Sequence, residues 1–164
     1  MKIDIVDVFD CTLEAFWQCF DDPEFEARVQ SSSNARKSVV SDETRDGVQT
    51  LVQRFDVPMP NMPSAVRAAL GTDTMSYEQT TTIDRARGHV TWSIKPAAMA
   101  DRIRAHGVYT VKQVPTGVER ALTGDVTVGI PFIGRSVEKM VVGAITQAYV
   151  AGTQARREWI ASRG

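Results

Sequence analysis

The strongest pattern in the sequence is a long amphipathic repeat near its C-terminal end. Small and apolar residues recur there at steps of three and four, the spacing of one face of an α-helix. They are Val137, Met140, Val141, Ala144, Ile145, Ala148, Ala151, Gly152, Ala155 and Trp159. Glu138 in the first turn and Arg156 and Arg157 near the end suit the helix dipole. The pattern predicts one helix over residues 135–161, ~40 Å long at ~1.5 Å per residue.

A helix of that length needs a partner surface of similar extent, and the preceding sequence supplies strands. Strand patterns rich in β-branched and aromatic residues occupy residues 2–9, 35–43, 48–57, 74–83, 89–95, 102–114 and 118–129. Two short helices are predicted after the first strand, the second starting with Asp22 as N-cap and Pro23 as its first residue. Asp46-Gly47 predicts a tight hairpin, and hairpin-linked strands make an antiparallel sheet.

The order of these elements predicts an α+β fold in a single domain, residues 1–164. A curved antiparallel sheet of about six to seven strands would be crossed on its concave side by the long helix. Because Ala and Gly dominate the second half of the helix, we expect that half to press closely on the sheet. We expect a cavity beside the first half, around Met140 and Ala144.

Composition narrows the kind of partner. The net charge is −1 and the pI about 6.1, which disfavours nucleic-acid binding. No apolar stretch has the length of a membrane-spanning helix, and charges interrupt the N-terminal residues, so a cytoplasmic location is expected. Cys11 and Cys19 lie too far apart on one helix to bridge and have no histidines at metal-ligand spacing. We therefore expect no metal and no cofactor; the oligomeric state stays open.

The element order over the whole chain resembles the helix-grip superfamily, whose members are also called START-like, Bet v 1-like, SRPBCC or polyketide cyclase-like. The segment Val128–Gly134, followed by Glu138, reads Val-x-x-Pro-x-x-Gly before the last helix. It is similar to the same element in a DUF2505-like bacterial branch of that superfamily. The resemblance implies a cavity between sheet and helix that holds lipids, sterols, polyketides or other apolar molecules. A fold alone does not assign a function.

Residues expected to line such a cavity come from the strands, the segment after the third strand, and the long helix. They are Phe55, Met59, Met62, Val66, Tyr77, Trp92, Tyr109, Leu122, Val126, Met140 and Ala144. Aromatic and aliphatic walls with few polar groups are typical of small-molecule sites, but the same residues could simply fill the core. The apolar, proline-punctuated segment 58–71 is interpreted either as a lid or as a plain connection packed into the core.

No residue pattern indicates catalysis. His89 and His106 are expected at the surface, and no nucleophile motif is present. By strand alternation Glu78, Glu119 and Asp125 are expected to face solvent. Arg54 and Arg120 are also expected outside, although a buried arginine can hold a lipid head group or a carboxylate.

Three functions remain open at this point. The leading one is binding of a hydrophobic or amphipathic small molecule such as a lipid, for transport or sequestration, without catalysis. A polyketide cyclase or dehydratase-like enzyme is the second. A protein-interaction module with a filled core is the third.

Overall fold

The computed structural model describes residues 1–163. The strands are β1 (Lys2–Phe9), β2 (Arg36–Arg45), β3 (Val48–Pro58), β4 (Thr74–Asp84), β5 (His89–Pro96), β6 (Ile103–Val114) and β7 (Gly117–Val128). The helices are α1 (Leu13–Gln18), α2 (Pro23–Ser31), α3 (Ser64–Leu70) and α4 (Gly134–Arg163), with a 3₁₀ turn at Cys19–Asp21. The predicted order of strands and helices, and the α+β class, are confirmed.

All seven strands form one antiparallel sheet in the order β1-β7-β6-β5-β4-β3-β2. The β2–β3 hairpin turns at Asp46 and Gly47, whose φ angles of 51° and 78° are both positive, as a type I′ turn requires. One register shift, between Val39 and Ser41, interrupts β2. Such irregularities bend a strand and increase its twist, which helps the sheet to curl.

Glycines at the centre of the sheet make room for a large side chain on its concave face. Gly107 and Gly124 are paired across β6 and β7, and Trp92 of β5 pairs with Gly107. A Cβ atom added at Gly107 would lie 2.6 Å from Cζ2 of Trp92. The indole therefore lies directly over the backbone of its neighbours, where any larger residue would collide with it.

The short helices are capped as the sequence predicts and support one end of α4. The Thr12 side chain accepts a hydrogen bond from the Ala15 amide, and the Asp22 carboxylate accepts one from the Glu24 amide at 2.8 Å. A second oxygen of Asp22 accepts from Nε1 of Trp159 at 2.7 Å. The cap of α2 thus also anchors the last turns of α4.

The buried face of α4 differs from the predicted stripe in its second half. Thr153 and Arg156 are buried there, whereas Ala148 is exposed and Gly152 is half-buried. A Cβ atom added at Gly152 would meet nothing within 4 Å. The expected close approach of small residues to the sheet is therefore wrong at these positions, because polar and charged side chains reach inward beside them.

The main core lies between the concave face of the sheet, α1, α3 and the first half of α4, and a smaller cluster joins α2 to the end of α4. Cys11 and Cys19 are both free thiols. Within residues 1–163, no helix is long and apolar enough to cross a membrane.

Candidate functional site

The long helix covers only part of the concave face. Its backbone runs closest to β7, β1 and α2, at one side of the sheet. The inward positions of β3 and β4, on the other side, remain half-buried rather than buried. We call this surface the open half; its side chains are Gln49, Leu51, Gln53, Phe55, Tyr77, Gln79 and Thr81.

The open half combines an aromatic wall with uncharged polar groups. The rings of Phe55 and Tyr77 stack with their centroids 5.1 Å apart and their planes 17° from parallel. Burial raises the pKa of Tyr77 to about 12, so its phenol is neutral at ordinary pH. Nε2 of Gln79 donates to Oγ1 of Thr81 at 3.1 Å. Such a surface can stack against a flat or apolar molecule while bonding to its oxygen atoms.

The sheet register places all the predicted strand residues on the concave face. Phe55 pairs with Tyr77, and Tyr109 pairs with Leu122. Trp92, Tyr109, Leu122 and Val126 are buried members of the main core, and Met62 and Val66 join them from the segment after β3. Met59 and Met140 pack against that core half-buried, and Ala144 is also half-buried. Only part of the predicted set is therefore open enough to meet a ligand without rearrangement.

The segment after β3 is anchored to the core at several points. Met62 and Val66 are buried, and Met59 and Leu70 pack against the same core. The Met59 amide donates to the Asp73 carbonyl at 2.8 Å, which closes the base of the segment. Gly71 ends α3 in the left-handed conformation. These contacts favour the interpretation of the segment as a packed connection.

Two clefts open on the surface of the described residues. One, of about 250 Å³, is lined by Arg54, Tyr77, Glu78, Lys95, Pro96, Ala97 and Ala100. The other, of about 210 Å³, lies between β1 and α4 and is lined by Ile5, Asp7, Tyr149, Val150, Thr153, Gln154 and Arg157. Tyr77 is the single predicted lining residue that reaches either cleft.

Arg120 corrects one sequence-based expectation. It was expected to face solvent, but it lies on the concave side and is only 6% exposed. Its position is even-numbered on β7, like buried Leu122, so alternation directs it inward. Its Nη2 donates to Asp7 at 2.6 Å and to Thr153 at 2.7 Å. The ion pair with Asp7, on the neighbouring strand, makes this burial tolerable.

Arg156 is a second buried guanidinium, which the sequence pattern assigned to the helix dipole. It is 4% exposed and lies among aromatic rings rather than beside an acid. Its guanidinium carbon is 4.3–5.7 Å from the ring centroids of Phe9, Phe16, Phe20 and Phe25. Within residues 1–163, no carboxylate comes within 4.0 Å of it. Burial, followed by the charge of Arg120, lowers the pKa of Arg156.

Two tyrosines stand beside these arginines. The rings of Tyr109 and Tyr149 meet edge to face, with centroids 6.5 Å apart. The guanidinium carbon of Arg120 lies 4.9 Å from the centroid of Tyr149. Burial raises the pKa of both phenols, so both remain proton donors at neutral pH. We call Asp7, Tyr109, Arg120, Tyr149 and Arg156 the arginine cluster.

Other ionisable candidates lie away from this interior. His89 and His106 are exposed, as expected. Glu119 pairs with Lys112 and Asp125 with Lys2 on the convex face. In the part of the chain that the structure describes, no three His, Cys, Asp or Glu side chains are grouped to hold a metal ion.

A family model described as "Protein of unknown function (DUF2505)" matches residues 5–160, which is nearly the whole chain. The chain belongs to this family. No curated protein sequence matches it.

Solved structures share the fold at low sequence identity. The Zhui aromatase/cyclase from Streptomyces sp. R1128 aligns with a TM-score of 0.69 at 13% identity, over 99% of this chain and 94% of that one. Protein TTHA0849 from Thermus thermophilus gives 0.70 at 12%, over 100% and 99%. Ara h 8.0201 gives 0.63 at 9%, over 99% and 98%. The DUF2505 chain thus has the helix-grip fold of the Bet v 1-like and SRPBCC proteins, and this likeness extends to the fold alone.

Proposed function

We propose that this DUF2505 protein binds a hydrophobic or amphipathic small molecule between the concave face of its sheet and α4. The observation that supports this most directly is the open half. Its inward positions carry aromatic and uncharged polar side chains that are neither buried in the core nor covered by the helix backbone. A sheet face of this kind gains stability when an apolar molecule displaces water from it.

The comparisons add support at the level of fold. Helix-grip structures similar to this one include the Zhui aromatase/cyclase and one described as the di-domain aromatase/cyclase StfQ from the steffimycin biosynthetic pathway. Both names concern chemistry on small molecules. For the present chain they make a small-molecule partner a reasonable inference, while the ligand's identity rests on experiment.

A binding assay with a neutral apolar dye tests the proposal. Nile red should fluoresce more strongly with the wild-type protein than in buffer. Thr81→Trp places a large ring in the open half and should weaken dye binding at least about tenfold, or ~1.4 kcal/mol. Thr80→Trp is the matched control, because Thr80 is the preceding residue of β4 and faces the opposite side of the sheet.

The proposal fails if the wild type neither binds the dye nor carries any small molecule in native mass spectrometry of protein purified from its own host. It also fails if Thr80→Trp and Thr81→Trp weaken binding equally. Either result would favour an interaction module with a filled core.

An enzyme of the cyclase type is the second candidate, and the buried polar groups of the interior favour it. Tyr109 and Arg156 are proton donors within an otherwise apolar core. A shaped cavity can promote ring closure largely by orienting the chain. Incubation with a poly-β-ketone thioester, followed by mass spectrometry, should show loss of water if the protein catalyses cyclisation with dehydration. An unchanged substrate mass beside a heat-denatured control would count against dehydration.

A further inference from the structure

The interior beside α4 holds more hydrogen-bond donors than acceptors. Four buried donor atoms have no partner among the described residues: Nε1 of Trp17, Nε1 of Trp92, Nε of Arg120 and Nε of Arg156. The phenols of Tyr109 and Tyr149 add two more donors nearby. Buried donors are normally satisfied, so this surplus indicates that an acceptor from outside the chain completes the interior.

The charges show the same imbalance. Two guanidinium groups, of Arg120 and Arg156, are buried, and Asp7 is the one carboxylate within 4.0 Å of either of them in residues 1–163. Arg120 already uses that carboxylate at 2.6 Å. Arg156 has aromatic faces instead, each worth about 0.5–2 kcal/mol to a cation, against a desolvation cost of several kcal/mol. One positive charge therefore lacks an anionic partner.

We infer that the ligand of the proposed function is a carboxylic acid whose carboxylate pairs with Arg156, while its apolar body lies along the concave face. This inference rests on the proposed function and names its ligand class. A single guanidinium matches the one negative charge of a carboxylate and can bind both of its oxygens. A phosphate, with nearly two charges, would need Arg120 as well, and Asp7 already neutralises that group.

The sheet register offers a continuous surface for the apolar body. Tyr109, beside the arginines, is paired with Val90, which is paired with Ile83 of β4. The adjacent row of the concave face contains Trp92 and Thr81, and Thr81 belongs to the open half. A chain or ring system anchored at Arg156 can therefore extend from the polar interior to the half-buried wall across neighbouring strands ~4.8 Å apart.

A pair of probes with the same apolar body tests the inference. Dansyl-labelled undecanoic acid and its methyl ester differ in whether the end group carries a negative charge. The wild type should bind the acid at least about tenfold more tightly than the ester, or ~1.4 kcal/mol. Arg156→Met, which keeps length and removes charge, should bind the two equally. Arg157→Met is the control, because Arg157 is exposed on the same helix, and it should behave as the wild type.

Equal binding of acid and ester by the wild type would overturn the carboxylate inference but leave the proposed function intact. Failure to bind either probe would overturn both. A discrimination that survives in Arg156→Met would also overturn the assignment to Arg156, provided circular dichroism shows that this variant is folded.

A measurement on the wild type alone removes any dependence on the variant's folding. With carboxyl-labelled ¹³C undecanoic acid, the bound carboxyl group should titrate at a lower pH than the free acid, because a guanidinium favours its charged form. A bound carboxyl that titrates at the same pH or higher would show that no positive charge contacts it, and would overturn the inference.

Discussion

The guanidinium carbon of Arg156 lies 4.3 Å from the centroid of the Phe16 ring, which joins the end of α4 to α1 through a cation–π contact. The same helix carries half-buried Met140 and Ala144, about three to four turns earlier at ~3.6 residues per turn. The helix thus presents an apolar surface near its start and a positive charge near its end. An amphipathic molecule would find both of its parts matched along this one element.

Removal of Asp7 should destabilise the protein strongly. Its carboxylate accepts from Arg120 at 2.6 Å and from Thr153 at 3.3 Å. Asp7→Ala leaves a buried guanidinium unpaired, for which a loss of about 3 kcal/mol in the free energy of unfolding is expected. Asp4→Ala, at an exposed position of the same strand, should change it by less than about 0.5 kcal/mol. Urea denaturation measures both.

The double variant Asp7→Leu with Arg120→Met isolates the cause of that loss. Apolar replacement of both partners removes the unpaired charge, so stability should recover most of what Asp7→Ala loses. A double variant as unstable as Asp7→Ala alone would show that packing at these sites, rather than the uncompensated charge, sets the cost.

Two glycine-to-alanine changes should have opposite effects. At Gly107 a Cβ atom would lie 2.5 Å from the Thr123 carbonyl oxygen and 2.6 Å from the Trp92 ring, so Gly107→Ala should cost about 2 kcal/mol. At Gly152 nothing lies within 4 Å, so Gly152→Ala should stabilise α4 by about 1 kcal/mol through helix propensity. Thermal and urea denaturation report both; a destabilising Gly152→Ala would contradict the open surroundings seen at that residue.

Local sequence signals predicted the fold well because they act within a few residues. Asp46-Gly47 needs only its own backbone angles to form the β2–β3 turn, and Asp22 caps α2 through the amide of Glu24. The period of two in the strands similarly gave the concave face that Phe55, Tyr77 and Trp92 share. Such patterns depend on secondary structure alone.

The arginine cluster was missed because its stability comes from distant residues. Arg120 is tolerated inside through Asp7, 113 positions away in the chain, and Arg156 through rings from β1 and α1. Arginine type alone favours an exposed position. The one usable signal was alternation on β7, since Arg120 has the same parity as Leu122. For Arg156, the apolar stripe shows which helix face is buried but not how far α1 rotates it.

Acid should weaken the fold partly through Asp21. Its carboxylate accepts 2.7 Å hydrogen bonds from both Nη atoms of Arg85, which lower the pKa of Asp21. A lowered native pKa gives stability above the unfolded value of ~3.9 that is lost as the pH falls through the native one. Between about pH 5 and pH 2.5, the melting temperature should therefore fall more steeply for the wild type than for Arg85→Met. Arg87→Met, at an exposed neighbouring arginine, should keep the wild-type slope.

Alkali should report on Tyr77 and on occupation of the open half. Burial raises the pKa of Tyr77 to about 12, whereas an unfolded tyrosine titrates near ~10. Because the unfolded chain ionises first, the contribution of Tyr77 to stability is retained below pH ~10 and lost as the pH rises toward the native value. Absorbance of the phenolate should show this delayed ionisation in the wild type, and Tyr77→Phe should remove that part of the titration.

A bound ligand should delay the ionisation of Tyr77 further. A molecule stacked in the open half would remove remaining water from Phe55 and Tyr77, whose rings already stack 5.1 Å apart, and greater desolvation disfavours the phenolate. The absorbance titration, repeated with saturating Nile red at a wavelength where the dye is silent, should shift the Tyr77 step to higher pH. The Thr81→Trp variant, which blocks the same surface, should show no ligand-dependent shift. An unshifted Tyr77 step in a wild-type protein that binds the dye would place the bound molecule away from the open half.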